Sequence, residues 1–351
     1  MKKFKYILFI LIIIIFLTLT ADGFGDLLIC SRSLVSQMKT PHHAQQKFIA
    51  SLPQDLDRKA YSRYFHDSQT LQVKYTPLVE KQIVQGDYGI YKIDQTGKRI
   101  IGTGSSRHAD RRLLLLGASQ TFGLYNPSED SLASKLSTLL PNYQIDNYAV
   151  PGHTLSRNLA NWLRINVVEQ QHYDSVVVLN GPFDYISVCS DRDISHNKDQ
   201  TLPRLLTIWK KITNKFSNSG TREDAQSSFC DDTRYQDMIV KHIIMDFDAL
   251  KSYGLSQKTT TLLFIPPVPW GNHANVANLL QEEATKNLTM QYGAIAKKLS
   301  FYANQSTDIV DLSSIFDNIG NSFFLDLTGH LTPQGNQILA EQIAARIKEA
   351  H

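Results

Sequence analysis

The chain has 351 residues, 42% of them hydrophobic and 20% charged, with a formal charge of +3. This is globular composition with length for one large core or two smaller ones, and it excludes a disordered chain. The charge is too mild for a nucleic-acid surface, and no Lys/Arg cluster is interleaved with aromatics, so nucleic acid is not expected as a partner.

The N-terminus reads MKKFKYILFILIIIIFLTLTADG, with Lys2, Lys3 and Lys5 ahead of an unbroken apolar run from Tyr6 to Leu17. Basic residues stay on the cytoplasmic side, so the remainder is expected outside the inner membrane, in the periplasm or beyond. The run lies between a long signal-peptide core and the roughly 20 residues that span a bilayer. Residues 1–23 therefore read as a signal-anchor, which the isoleucine run favours, or as a signal peptide cut near Ala21-Asp22-Gly23. In an oxidising compartment Cys189 and Cys230, which bracket a polar stretch, are natural disulfide partners, leaving Cys30 odd. A metal site would need convergent His or Cys spacing, which is not found, and no cofactor is implied.

Residues 24–110 are polar and irregular, a tether and small extension with one hairpin signal: YGIYKID and KRIIGTG flank Gln95-Thr96-Gly97. The pattern then changes. RRLLLLGAS, YQIDNYAV, SVVVLNG, TTTLLFIPPVPW and TDIVDLSS read as strands, alternating with helical stretches that end on TPQGNQILAEQIAARIKEA. Strands alternating with helices of this length predict a parallel sheet covered on both faces, a three-layer α/β domain over residues 111–351. Its strands are continuous Val/Leu/Ile runs, as burial on both sides requires.

In such a sheet ligands bind beyond the carboxyl ends of the strands, where Gly117-Ala118-Ser119 falls. Ser119 reads either as a helix N-cap or as a nucleophile. It belongs to neither a phosphate loop nor a GxSxG elbow, because Thr121 stands where the second glycine belongs. At the far end, FFLDLTGHLTPQGNQILA places Asp326 and His330 in the loop before the last helix. A serine needs a histidine to take its proton, and the histidine needs a third group to orient it.

These blocks resemble the SGNH, or GDSL-like, hydrolases, in four separated pieces from Arg111 to the C-terminus. The resemblance implies a flavodoxin-like α/β/α sandwich, with Ser119 as nucleophile, Asp326 and His330 completing the triad, and Ser119 and Gly152 (in NYAVPGHT) supplying oxyanion-hole N–H groups. Three positions depart from the family pattern. Ala118 stands where Asp is usual, Asp326 and His330 are four rather than three residues apart, and Phe183 of VVVLNGPFD occupies the place of the oxyanion Asn. Asn180 is the candidate replacement, or else a hydrogen-bonding loop residue. His153, Trp270 and His273 fall on loops at the same sheet edge, as substrate contacts or as packing.

The expected function is an exported, membrane-anchored serine esterase acting on an acylated envelope carbohydrate or lipid. An O-acyltransferase of envelope polysaccharide and a catalytically silent envelope module are the alternatives. Residues 190–232 interrupt the alternation as an insertion. Within it Leu202, Leu205, Leu206, Trp209, Ile212 and Phe216 make one helical stripe, to pack on the domain or to lie on an anionic membrane.

Overall fold

The structure, a computed structural model, describes residues 43–77, 79–102, 109–195, 230, 232–270, 274–279, 282–306 and 308–350. The N-terminal apolar run, Cys30, the 202–216 stripe and His273 lie outside them. Met1–Ala50 and Ser51–His351 form two compact units, and the sheet and candidate site lie in the second. Among the described residues no helix is long and apolar enough to cross a membrane, and no group of three or more His, Cys, Asp or Glu could hold a metal ion.

The second unit begins with the extension. Helix α1 (Arg58–Thr70) is capped by Asp57, whose side chain accepts from Lys59 N and Ala60 N. Strands β1 (Val73–Thr76) and β2 (Glu80–Ile83) pair antiparallel, as do β3 (Gly86–Tyr88) and β4 (Tyr91–Ile93). The turn expected at Gln95-Thr96-Gly97 forms. Asp94 N donates to Lys98 O and Ile100 N to Lys92 O, while the Asp94 carboxylate accepts from Thr96 N. Its first arm is itself folded at Gly89-Ile90 into the β3–β4 hairpin, and its second arm meets the large sheet where Arg99 N donates to Asn147 O.

Strands β5 (Arg111–Gly117), β6 (Tyr143–Asn147), β7 (Ser175–Leu179), β8 (Thr260–Ile265) and β9 (Ile309–Asp311) form one parallel sheet in the order β6-β5-β7-β8-β9. Between them run α2 (Ser119–Phe122), α3 (Leu132–Leu139), α4 (Leu155–Val167), α5 (Pro182–Ser195), α6 (Thr233–Ser256) and α7 (Glu282–Ala303), and α8 (Pro333–Glu349) closes the chain. Alternation along the strands sorts the layers. Leu114, Leu116, Val176 and Val178 pack with Trp162 of α4, Ile243 and Phe247 of α6 and Ile295 of α7. Leu113, Leu115, Val177 and Leu179 pack on the other face with Leu132 and Leu136 of α3 and Leu339 and Ile343 of α8. Order reverses around β5, so the crevice lies beyond the carboxyl ends of β5 and β7.

Cys189 in α5 and Cys230 ahead of α6 are disulfide-bonded, with Cα atoms 5.9 Å apart. Arg99, 1% exposed, is a residue that composition does not announce. Its guanidinium carbon lies 4.8 Å from the Tyr91 ring centroid and 5.0 Å from that of Phe122, two rings that stack on each other, and the group donates to the carbonyls of Phe122 (2.6 Å), Gly123 (2.8 Å) and Asn126 (2.7 Å). Those carbonyls lie at and just beyond the C-terminal end of the short helix that carries Ser119, so a cation from the extension holds that end.

Candidate active site

The turn after β5 is built on close approach. A Cβ at Gly117 would come within 2.1 Å of Thr121 Oγ1 and 2.5 Å of Leu179 O, so only glycine allows the chain to leave the sheet here. Thr121, at the place where an elbow would carry glycine, instead donates its hydroxyl to Leu179 O at the end of β7. Ala118 is the N-cap residue of α2 and makes no side-chain cap bond. Ser119 is the first residue inside the helix, so its hydroxyl does no capping, and its N–H belongs to the turn whose donors have no partner within a helix.

The Ser119 hydroxyl lies 2.9 Å from His330 Nε2. On the other side of the ring, Nδ1 is 2.6 Å from Asp326 Oδ2 and 2.9 Å from Thr328 Oγ1. Thr328 donates its hydroxyl (2.7 Å) and its N–H (3.0 Å) to Asp326 Oδ1. This network assigns the Nδ1–H tautomer, leaving Nε2 to accept the serine proton. The four-residue spacing is absorbed by a tight loop. Leu325 N donates to His330 O at 2.7 Å, and Gly329 takes a left-handed φ of 92° that lets the chain reverse between the two residues. Burial alone would raise the Asp326 carboxyl, but His330, Thr328 and the His330 N–H outweigh it and hold the group below its ordinary range.

Two side chains to which the sequence reading gave no role steady this arrangement. Gln120 donates its amide to Gly329 O (2.8 Å) and Pro267 O (3.2 Å), tying the serine turn to the histidine loop. Tyr125 packs edge-on against His330 with ring centroids 4.9 Å apart, and is itself held by Tyr91 Oη and stacked on Phe65 of α1. Nothing in their sequence context marks them, whereas the Asp-x-Thr spacing of Asp326 and Thr328 is an Asx-turn signal that was available.

The residues read as an oxyanion hole come from more distant segments. Asn180, 2% exposed, lines the cleft beside Ser119 and gives one amide hydrogen to His153 O at 2.8 Å, so its second remains for the cleft. Gly152 lies in the turn after β6, its carbonyl accepting from Arg157 Nη1 at 3.3 Å, and Arg157 is ion-paired with Glu80. Phe183 lines the cleft and covers Gly152, since a Cβ there would meet its ring at 3.8 Å.

Of the three residues read as substrate contacts or packing, two fall to packing. His153 is fully buried, bonded through Nε2 to Lys81 O at 2.9 Å; burial pushes it down to about 4, so it is a neutral structural ring. Trp270 is 4% exposed, packs near Tyr292 and donates to Tyr185 Oη at 3.2 Å, which makes it core. The cleft itself is about 200 Å³, with walls from Pro182, Phe183, Ile186, Pro266 and Val268.

No family model matches the sequence, and no curated protein matches it. Solved structures are similar. An acetylxylan esterase from Geobacillus stearothermophilus is 14% identical with a TM-score of 0.40, over 69% of this chain and 96% of that one. A member of the lipolytic protein G-D-S-L family from Veillonella parvula is 12% identical with a TM-score of 0.39, over 67% and 96%. A psychrotrophic esterase from Pseudoalteromonas is 12% identical with a TM-score of 0.36, over 68% and 98%. Two are esterases and one is lipolytic. Identities and scores this low leave the functional reading to the site itself.

Proposed function

We propose that the protein is a serine ester hydrolase of SGNH type. The observation that carries this is the continuous chain from Ser119 Oγ through both ring nitrogens of His330 to Asp326, at 2.9 and 2.6 Å. Ser119 attacks the ester carbonyl while His330 Nε2 takes its proton, and Asp326 and Thr328 hold the ring and stabilise the imidazolium that forms. The N–H groups of Ser119 and Gly152 and the free amide hydrogen of Asn180 receive the charge that develops on the carbonyl oxygen. His330 then returns the proton to the leaving alcohol, and water, activated by the same histidine, releases the acid.

The cleft supports an acyl group larger than acetyl. Its walls are mainly apolar, and a dry cavity of about 150 Å³ takes a benzene ring, so roughly six to eight carbons fit a space of this size. The N-terminal lysines and apolar run support export with a membrane tether, where an acylated envelope carbohydrate or lipid is the substrate. The test is turnover of aryl esters of graded chain length: the rate should peak between butanoyl and octanoyl and vanish in Ser119→Ala. Undiminished turnover by Ser119→Ala would end the hydrolase reading, and a profile that only falls from acetyl upward would end the chain-length reading alone.

A further inference from the structure

Gln120, next to the nucleophile in the chain, lines the catalytic cleft. Its amide nitrogen gives both hydrogens to carbonyls, one to Gly329 O at 2.8 Å and one to Pro267 O at 3.2 Å. A carbonyl can only accept, so these two bonds fix which way round the amide stands and turn Oε1 away from both partners. Among the described residues Oε1 accepts no hydrogen bond, and it is not buried. A firmly held acceptor with unused capacity therefore stands beside Ser119.

Its anchors place it along the cleft. The apolar walls Pro182, Phe183, Ile186 and Val268 suit the acyl chain, and Asn180 marks the oxyanion side. Gln120 is tied instead to the carbonyl of Gly329, the residue before His330. His330 Nε2, 2.9 Å from Ser119 Oγ, returns the proton to the leaving alcohol, so that alcohol departs on the histidine side. The ester oxygen itself carries no hydrogen, and a donor to Oε1 must be a second group on the alcohol. No Lys, Arg, Asp or Glu is among the described residues that line the cleft, so that group is neutral. Because Gln120 adjoins the nucleophile, it belongs on the carbon nearest the ester.

We propose that Gln120 Oε1 selects the alcohol half of the substrate, accepting a hydrogen bond from a hydroxyl on the carbon next to the acylated one. This specificity rests on the hydrolase reading and narrows it. The substrate is a monoester of a vicinal diol, as in a partly acylated sugar ring or a monoacylglycerol, and not the ester of a simple alcohol.

The test compares hydroxyethyl hexanoate with methoxyethyl and propyl hexanoates, by kcat/KM on the full chain. The hydroxyl should raise the rate about tenfold over either, the scale of one neutral hydrogen bond partly open to water. Gln120→Met removes the acceptor and the donors, whereas Gln120→Lys keeps donors for Gly329 O and Pro267 O and removes the acceptor alone. Each should bring the ratio to about one, even where all the rates fall. A merely structural Gln120 would slow the three esters equally and leave the ratio unchanged. Monohexanoylglycerol and a monohexanoyl methyl glucoside, each against its fully O-methylated form, separate the two sources. Methylation should slow at least one pair by about tenfold, and the pair it slows identifies glycerolipid or glycan. A parent ratio near one, a ratio unchanged in both variants, or no effect of methylation in either pair would overturn the proposal, while hydrolysis that depends on Ser119 kept the hydrolase reading in place. Hydrolysis that persists in Ser119→Ala would end both.

Discussion

On the base side of Ser119, Asp326, Thr328 and His330 lie within five residues, and the polar bonds that orient the imidazole are made inside that loop. On the oxyanion side, Gly152 and Asn180 come from two different strand ends, and their turn rests on Lys81 through His153 and on Glu80 through Arg157. One side is a local device that a short motif can encode. The other is assembled by tertiary packing, with the extension as one of its walls.

The comparison is broken most severely at the base. His330→Ala should reduce ester turnover by about 10⁴-fold or more, as Ser119→Ala does, because the two act as a unit. Asp326→Asn should cost less, about 10³-fold, since Thr328 Oγ1 still meets Nδ1. If Asp326→Asn equals His330→Ala, Thr328 has no share in holding the ring. Steady-state kinetics with a hexanoyl aryl ester decides both.

On the other side, Asn180→Ala should lower kcat by about 10²-fold with little change in KM, because a donor aimed at developing charge acts in the transition state. A rise in KM at constant kcat would make Asn180 a wall of the cleft and not a donor.

The smallest kinetic effect is expected at the brace. His153→Asn should lower kcat by roughly tenfold, a loss of about 1.4 kcal/mol, by loosening the turn that carries Gly152. It should also change stability with pH. Folded, the ring takes a proton only near 4, against an ordinary value of 6.5. Between these values the unfolded chain binds more protons, so this contribution is complete above about pH 6.5 and is lost as pH falls toward 4, amounting to about 3 kcal/mol. Asp184, raised to about 7, works in the opposite sense, so the test is the difference between parent and His153→Asn in urea unfolding at pH 7 and pH 4.5. An identical pH dependence in the two proteins would mean that His153 is not a buried neutral ring.

Much of the sheet was legible because β5, β7 and β8 are apolar runs buried on both faces, a signal that survives without tertiary knowledge. Ser119, Asp326 and His330 were legible because chain punctuation surrounds them: Gly117, Gly329, and Pro333 at the start of α8. His153 and Trp270 stayed open between substrate contact and packing for a shared reason. Position at the sheet edge says which end of the fold a residue occupies, but not whether its side chain turns inward, and both do. Arg99 shows the same limit from the other direction. A lone arginine after a hairpin turn reads as solvated, and only the meeting of that hairpin with β6 places it under the carbonyls that follow Ser119.

The central claim is that Ser119 is made nucleophilic by His330. It is tested most directly by treating the purified, folded protein with a fluorophosphonate and mapping the adduct by peptide mass spectrometry, alongside His330→Ala. The account predicts one stoichiometric adduct on Ser119 in the parent and a labelling rate at least about 10³-fold slower in His330→Ala. An unlabelled Ser119 in folded protein, or equal labelling in the two, would contradict it.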